Sequence, residues 1–236
     1  FYSGVVLPST GYLSLFDIHP YYKGFLIQIP KRSNPIELEE IVVQNKLLEV
    51  FADHYKWCRI MGINNIADFN NIEKGKLRDF IKVTEALHEK QISKMADTIA
   101  ERSEKTKIVL VSGPSSSGKT TFTKRLSVQL MASGIKPISL SLDNYFVDRE
   151  NTPLDENGDY DFESLYALDI AYFNKQLAEL LNGEEIQLPT FNFETGKRMF
   201  KGEKLKLHND NILIIEGIHA LNPTLTSSIP SETMYK

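Results

Sequence analysis

The run Gly113-Pro-Ser-Ser-Ser-Gly-Lys-Thr-Thr121 fits G-x-x-x-x-G-K-[ST], the spacing of a phosphate-binding loop. Each residue type has a physical task there. Gly113 and Gly118 let the backbone curl, so that the amides of Ser115, Ser116 and Ser117 turn inward toward phosphate oxygens. The start of the following helix, with Thr121 in it, adds its partial positive charge. Lys119 supplies a mobile cation for the β- and γ-phosphates, and the Thr120 hydroxyl is placed to ligate Mg²⁺. The ligand this chemistry calls for is ATP with Mg²⁺. Two acids further along are candidates to complete the site. Asp143 follows an apolar run and reads either as a base for an attacking hydroxyl or as the cap of a turn. Glu216 ends an Ile-rich run, where a carboxylate is costly to bury unless paired or metal-bound. It reads either as a Mg²⁺ contact or as an acceptor for a Ser or Thr of the loop.

These groups are far apart in sequence, so an architecture must bring them together. Residues 108–112, 136–142 and 211–216 are short apolar runs of the kind that form buried parallel strands. Residues 120–131 read as a helix, with Phe122, Leu126, Leu130 and Met131 mainly on one face. Residues 169–182 form a second amphipathic helix closed by Asn182-Gly183, and 185–199 read as an extended excursion. The implied fold is α/β: a parallel sheet over residues 105–236 with helices on both faces. In such sheets ligands bind at the carboxyl ends of the strands, where the loop, Asp143 and Glu216 converge.

Residues 1–104 read as a smaller α+β module. Its apolar stretches at 5–7, 12–16 and 24–29 suggest a β-meander. A turn-rich junction at 30–35 is followed by helical patterns over 36–57 and 76–102. The charged connector 101–107 marks the expected boundary.

Bulk properties narrow the classes. The chain has 236 residues, 42% hydrophobic and 25% charged, enough for one large domain or two modest ones. A net charge of −4 disfavours nucleic acid as the main partner, although a local basic patch stays open. One cysteine, Cys58, precludes an internal disulfide and fits a reducing cytoplasm. No apolar run approaches membrane-spanning length. Phe1 is not an initiator methionine, so a fragment is expected. His54 and Cys58 lie at i, i+4 without further ligands nearby and read as structural, while His88, His208 and His219 read as surface or loop residues.

Four ordered motifs together resemble the uridine kinase/phosphoribulokinase family of P-loop kinases. They are the glycine loop, Asp143-Asn-Tyr-Phe146, Pro189-Thr-Phe-Asn-Phe193 and Glu216-Gly-Ile-His219. The resemblance covers roughly residues 107–230. It implies that Asp143 is the acceptor base, that Thr120, Asp143 and Glu216 surround Mg²⁺, and that Asp143, Tyr145, Glu163, Phe191 and Arg198 belong to the acceptor site. Two positions depart from it. Phe191 stands where a tyrosine contacts the base, and Gly196 where a histidine is expected, so two hydrogen-bonding groups for a pyrimidine are missing. The N-terminal part, with Ser9-Thr-Gly-Tyr12, Lys56-Trp57 and Glu85-Ala-Leu-His-Glu89, resembles a bacterial subgroup with a threonyl-tRNA-synthetase-like region ahead of the kinase domain.

Two functions follow from these residues. One is an ATP-dependent kinase acting on an alcohol of a small nucleoside- or sugar-like molecule. The other is a nucleotide-sensing module linked to RNA or a protein. Asp143 separates them, because a switch needs no acceptor base. The resemblance implies a further parallel strand and a lid helix carrying arginines after Glu216, so those arginines are expected beyond Lys236, unless Lys197 or Arg198 closes over the phosphates instead; without that strand the glycine-loop strand is expected to keep an open edge that invites self-association.

Overall fold

The computed structural model describes residues 6–227 and 229–236. It divides into two compact units, Phe1–Leu77 and Arg78–Lys236.

The first unit holds an antiparallel hairpin, β1 (Asp17–Tyr21) and β2 (Gly24–Gln28), then helices α1 (Asn45–Ile60) and α2 (Ile66–Asn70). Part of the expected meander lies elsewhere. Residues 12–16 are not a strand, because Ser9 caps a short turn at Thr10–Tyr12 and accepts from the Gly11 amide at 3.2 Å. Val5 lies outside the described residues. The first helix begins at Asn45 instead of near residue 36. Upstream, the chain folds back on itself. The Lys31 amide donates to the Glu37 carbonyl at 2.8 Å and the Glu39 amide to the Ile29 carbonyl at 2.9 Å. Those groups are thereby spent on a loop and cannot serve a helix.

The boundary between units falls inside the long helix α3 (Lys74–Glu101), well before the charged connector. Ile92, Ala96 and Ile99, spaced along one helical stripe, are fully buried in the second unit's core. An apolar stripe of this kind needs a sheet face to cover it, and that requirement overrides the charge run as a boundary signal.

The second unit is built on β3 (Ile108–Val111), β4 (Lys136–Ser141), β7 (Asn211–Glu216) and β8 (Met234–Tyr235), in the order β4-β7-β3-β8, all parallel. Alternation along the central strands assigns the layers. Ile108 and Leu110 of β3, with Leu213 and Ile215 of β7, pack with Phe173, Leu177 and Leu180 of α5 (Ile170–Leu181). Val109 and Val111, with Ile212 and Ile214, pack with α3 and with Leu126 and Leu130 of α4 (Lys119–Ala132). The two-residue period of a strand thus sends successive side chains to opposite helical layers.

From β3 the chain crosses through α4 to β4, leaving a vacant position that β7 fills later. This reversal creates the crevice where ligands bind in sheets of this type. The edge expected to stay open is partly covered: β8 pairs Ile108 with Met234 and Val109 with Tyr235. A second hairpin, β5 (Glu185–Asn192) and β6 (Lys197–Lys206), forms the extended excursion. Its register shifts between Gln187 and Pro189, where proline has no amide to donate. After β7 the described residues to 227 make turns. Among the described residues no helix is long and apolar enough to cross a membrane.

Candidate active site

Three strand ends meet at the crevice. Where β3 stops, the Ser112 hydroxyl donates to the Ile218 carbonyl at 2.7 Å, and the Gly217 amide donates to the Val111 carbonyl at 3.1 Å. These bonds staple the ends of β3 and β7. A Cβ at Gly217 would stand 2.7 Å from the Leu142 Cβ, so glycine is what lets the end of β4 close in as well.

The glycine loop lies above this junction. Gly118 caps α4 in the left-handed region at φ 90°, and a Cβ on Gly113 would meet Ser117 Oγ at 2.7 Å. Ser116 also sits at φ 57°, a conformation that costs a non-glycine residue about 1–2 kcal/mol. Such strain in a loop ahead of a helix fits a backbone shaped for a ligand. The Lys119 ammonium donates to the Pro114 carbonyl at 2.9 Å and so lies across its own loop.

The two candidate acids are where the sheet topology requires. The Thr120 hydroxyl donates to Glu216 Oε1 at 3.0 Å, the loop-acceptor contact foreseen as one alternative for Glu216. Asp143 opens a short turn, Leu142–Tyr145, and the cap of that turn is Ser141, whose hydroxyl accepts from the Asp143 amide at 3.4 Å. The Asp143 carboxylate is therefore not spent on capping. It faces the crevice, and its pKa is raised above the ordinary carboxylate range. Desolvation by the surrounding protein is the main cause, the negative charge of Glu216 adds to it, and Lys119 opposes it. Asp143, Glu216 and Lys119 thus sense one another across the crevice.

These groups suit Mg²⁺ by donor chemistry. Thr120, Glu216 and Asp143 offer hard oxygen donors, and a cation would relieve the repulsion that raises Asp143. Among the described residues no group of three or more His, Cys, Asp or Glu forms a metal cage. The ion suited to such a site is one that keeps water and phosphate oxygens in its shell, as Mg²⁺ does.

The acceptor residues suggested by the resemblance separate into two groups. Glu163 is exposed, and its carbonyl lies 2.8 Å from His219 Nε2. His219, read from sequence as a surface or loop residue, therefore ties the turn after β7 to the 161–164 loop. Tyr145, Phe191 and Arg198 are engaged in packing and local bonds. Tyr145 is fully buried, donates to Gln176 Oε1 at 2.9 Å and packs edge-on to Phe173; burial pushes its phenol pKa well up. Phe191 lies in the core against Phe146 and Phe193. The apolar surroundings of both rings explain why aromatic residues stand in these motifs.

Arg198 is a clamp. It donates to Asp169 Oδ2 at 2.9 Å and to the Phe146 carbonyl at 3.1 Å, and its guanidinium lies 4.9 Å from the centre of the Tyr172 ring. Asp169 in turn caps α5 by accepting from the Tyr172 amide at 3.0 Å. Arg198 thus joins β6, α5 and the turn that carries Asp143. Its side chain is 18% exposed, so solvent screens the pair little. Arg198→Ala is expected to destabilise the fold by roughly 1.5–3 kcal/mol, the range for a hydrogen bond to a charged group. A denaturant titration checks this, and a loss under about 0.5 kcal/mol would class the pair as a solvated contact.

Gly196, the second departure, is also explained by packing. It holds φ 67°, and a Cβ there would meet the Arg149 Cβ at 2.7 Å. The Arg149 amide donates to the Gly196 carbonyl at 2.8 Å, and its guanidinium donates to the Phe193 carbonyl. Arg149 was not singled out in the sequence. Its position in a polar, turn-rich loop carried no periodic or motif signal.

A larger cavity of about 970 Å³ lies wholly in the first unit, lined in part by Tyr22, Phe51, Tyr55, Lys56 and Arg59. No group described above lines it.

The comparisons with known proteins agree with this geometry. Residues 108–225 match the Phosphoribulokinase / Uridine kinase family. A uridine kinase of Ligilactobacillus salivarius is 31% identical over 124 residues, covering 52% of this chain and 56% of that protein. A uridine kinase of Schizosaccharomyces pombe is 32% identical over 119 residues, covering 50% of this chain and 25% of that protein. The chain thus spans little more than half the length of its bacterial relatives. Among solved structures, one described as a possible uridine kinase from Bacillus stearothermophilus aligns with a TM-score of 0.50 at 24% identity, over 58% of this chain and 75% of that one, which is a likeness of fold. With the match covering half of its residues, and the loop, strand order and crevice acids in place, this chain belongs to the phosphoribulokinase/uridine kinase family.

Proposed function

We propose that this chain carries the nucleotide-binding core of an ATP-dependent kinase. The acceptor is an alcohol of a small nucleoside- or sugar-like molecule. The observation that carries this reading is the meeting of Lys119, Thr120, Glu216 and Asp143 at adjacent strand ends. The loop amides bind the phosphates. Lys119 leaves the Pro114 carbonyl for the β- and γ-phosphate oxygens, a charge-assisted exchange. The acceptor oxygen attacks the γ-phosphorus, the bond to the β-phosphate oxygen breaks, and ADP leaves. Asp143 takes the proton of the attacking hydroxyl, and its raised pKa makes it a stronger base than an ordinary carboxylate. Thr120, Glu216 and Asp143 would hold Mg²⁺, which when bound neutralises charge on the transferring group.

The acceptor is not simply uridine. Phe191 and Gly196 are committed to packing, so neither offers the hydrogen bonds that would read a pyrimidine. Exposed Glu163, whose loop is tied to His219 just after β7, is the polar residue we assign to the acceptor. The test is transfer from labelled ATP by the full-length protein to a panel of nucleosides, sugars and sugar acids. At least one acceptor is expected to exceed uridine in kcat/KM. Uridine as the best acceptor would overturn this reading of the two departures. Nucleotide binding without transfer to any alcohol would favour the nucleotide-sensing alternative.

A further inference from the structure

Beside the glycine loop lies a cavity of about 490 Å³, within the range of ~300–1,000 Å³ common for small-molecule sites. The loop forms one wall through Ser117, Gly118, Lys119 and Thr121. Phe122 and Arg125 of α4 form another, and His88 of α3 closes it. His88 stands outside the family-matched residues 108–225.

The side chains around His88 define what it can offer. Arg125 donates to Glu89 Oε2 from Nε at 3.0 Å and from Nη2 at 2.7 Å, and to Glu85 Oε2 at 3.4 Å. Its Nη1 also stands 3.0 Å from His88 Nδ1. A guanidinium has donors and no acceptor, so Nδ1 of His88 must accept and the ring proton sits on Nε2. His88 therefore offers an aromatic face and, at Nε2, an N–H donor. Gln129 bonds Glu89 from the other side at 2.5 Å, which braces the same cluster. Arg125 is matched by two carboxylates, so it does not make the cavity strongly attractive to anions. Phe122, half-buried, adds a second aromatic surface.

We infer that this cavity takes the heteroaromatic base of the nucleotide whose phosphates the glycine loop holds, with His88 as a base-contacting residue supplied by α3. The inference rests on the nucleotide-binding reading above. Thr121 belongs to both loop and cavity, so a ligand anchored by its phosphates extends directly into it. A flat ring with acceptor nitrogens, such as a purine, matches the pair of aromatic walls and the Nε2–H donor. Arg125 is a positioning residue that fixes the tautomer and orientation of His88.

The test uses the full-length protein and calorimetry with two probes, ATP and inorganic tripolyphosphate, each with Mg²⁺. His88→Ala is expected to weaken ATP by up to about tenfold, one lost hydrogen bond, while tripolyphosphate affinity stays unchanged. His88→Gln, which keeps an N–H donor, is expected to recover part of the loss. Unchanged ATP affinity in His88→Ala, with tripolyphosphate still bound, would overturn this inference alone. Equal weakening of both probes would overturn it too, by giving His88 a purely structural role. A wild-type protein that binds neither probe would instead remove the phosphate-site reading on which the inference stands.

Discussion

Asp143→Asn is expected to lower phosphoryl transfer by roughly 10²–10⁴-fold, the usual contribution of a positioned general base, while ATP affinity changes little. Asparagine keeps the size and the turn but cannot take a proton. The Ser141 cap of that turn uses the backbone amide of residue 143, so it survives the substitution. The same variant carries a stability signature. The pKa of Asp143 is raised in the folded protein, so its contribution to stability is fully present below the unfolded pKa, about 3.9, and is lost as pH rises through the raised folded value. At neutral pH the ligand-free protein therefore carries an unfavourable charge beside Glu216. Asp143→Asn is expected to melt at a temperature equal to or above wild type at pH 7, with the advantage vanishing in acid. Steady-state transfer, ATP calorimetry and melting curves at several pH values check this. Turnover within a few-fold of wild type would reduce Asp143 to a turn residue.

Lys119→Ala is expected to weaken ATP binding at least tenfold, on the order of 1.4 kcal/mol. In the free protein the ammonium rests on the neutral Pro114 carbonyl. Phosphate oxygens are the stronger partners, because both sides of the bond are then charged. Loss of this cation leaves the loop amides and the helix start as the remaining attraction for the phosphates. The fold should hold, since Lys119 is only half-buried and makes no contact with a core residue through its ammonium. Calorimetry with ATP on wild type and variant decides it, and equal affinities would refute the assignment of the loop.

Much of the fold could be read along the chain because strands and helices carry local periods. The alternation in β3 and β7 assigned each side chain to a layer, and Phe122, Leu126 and Leu130 of the stripe on α4 marked its buried face, whereas Met131, read onto the same face, is exposed. The errors came where a competing local bond carried no period. Residues 36–44 have helical patterning, but the chain between Ile29 and Glu39 closes on itself through backbone bonds. The domain boundary was read from charge, whereas burial of Ile92 and Ile99 draws most of α3 into the second unit.

The sequence by itself determined the phosphate loop, the acids at the strand ends and the parallel sheet that joins them. Spacing and periodicity are local properties, and the motif needs only a strand, a loop and a helix in order. The tertiary structure alone decided how the side chains of each motif pack. Tyr145, Phe191 and Arg198 stand in the same motifs as Asp143, yet packing turns two of them into the core and makes the third a clamp on Asp169. It also brought His88 to the glycine loop through Arg125, across a separation no local pattern could encode. Residue type records what a side chain can do, but the direction it points depends on which distant element packs against its own, and that is set by the burial of the sheet's two faces.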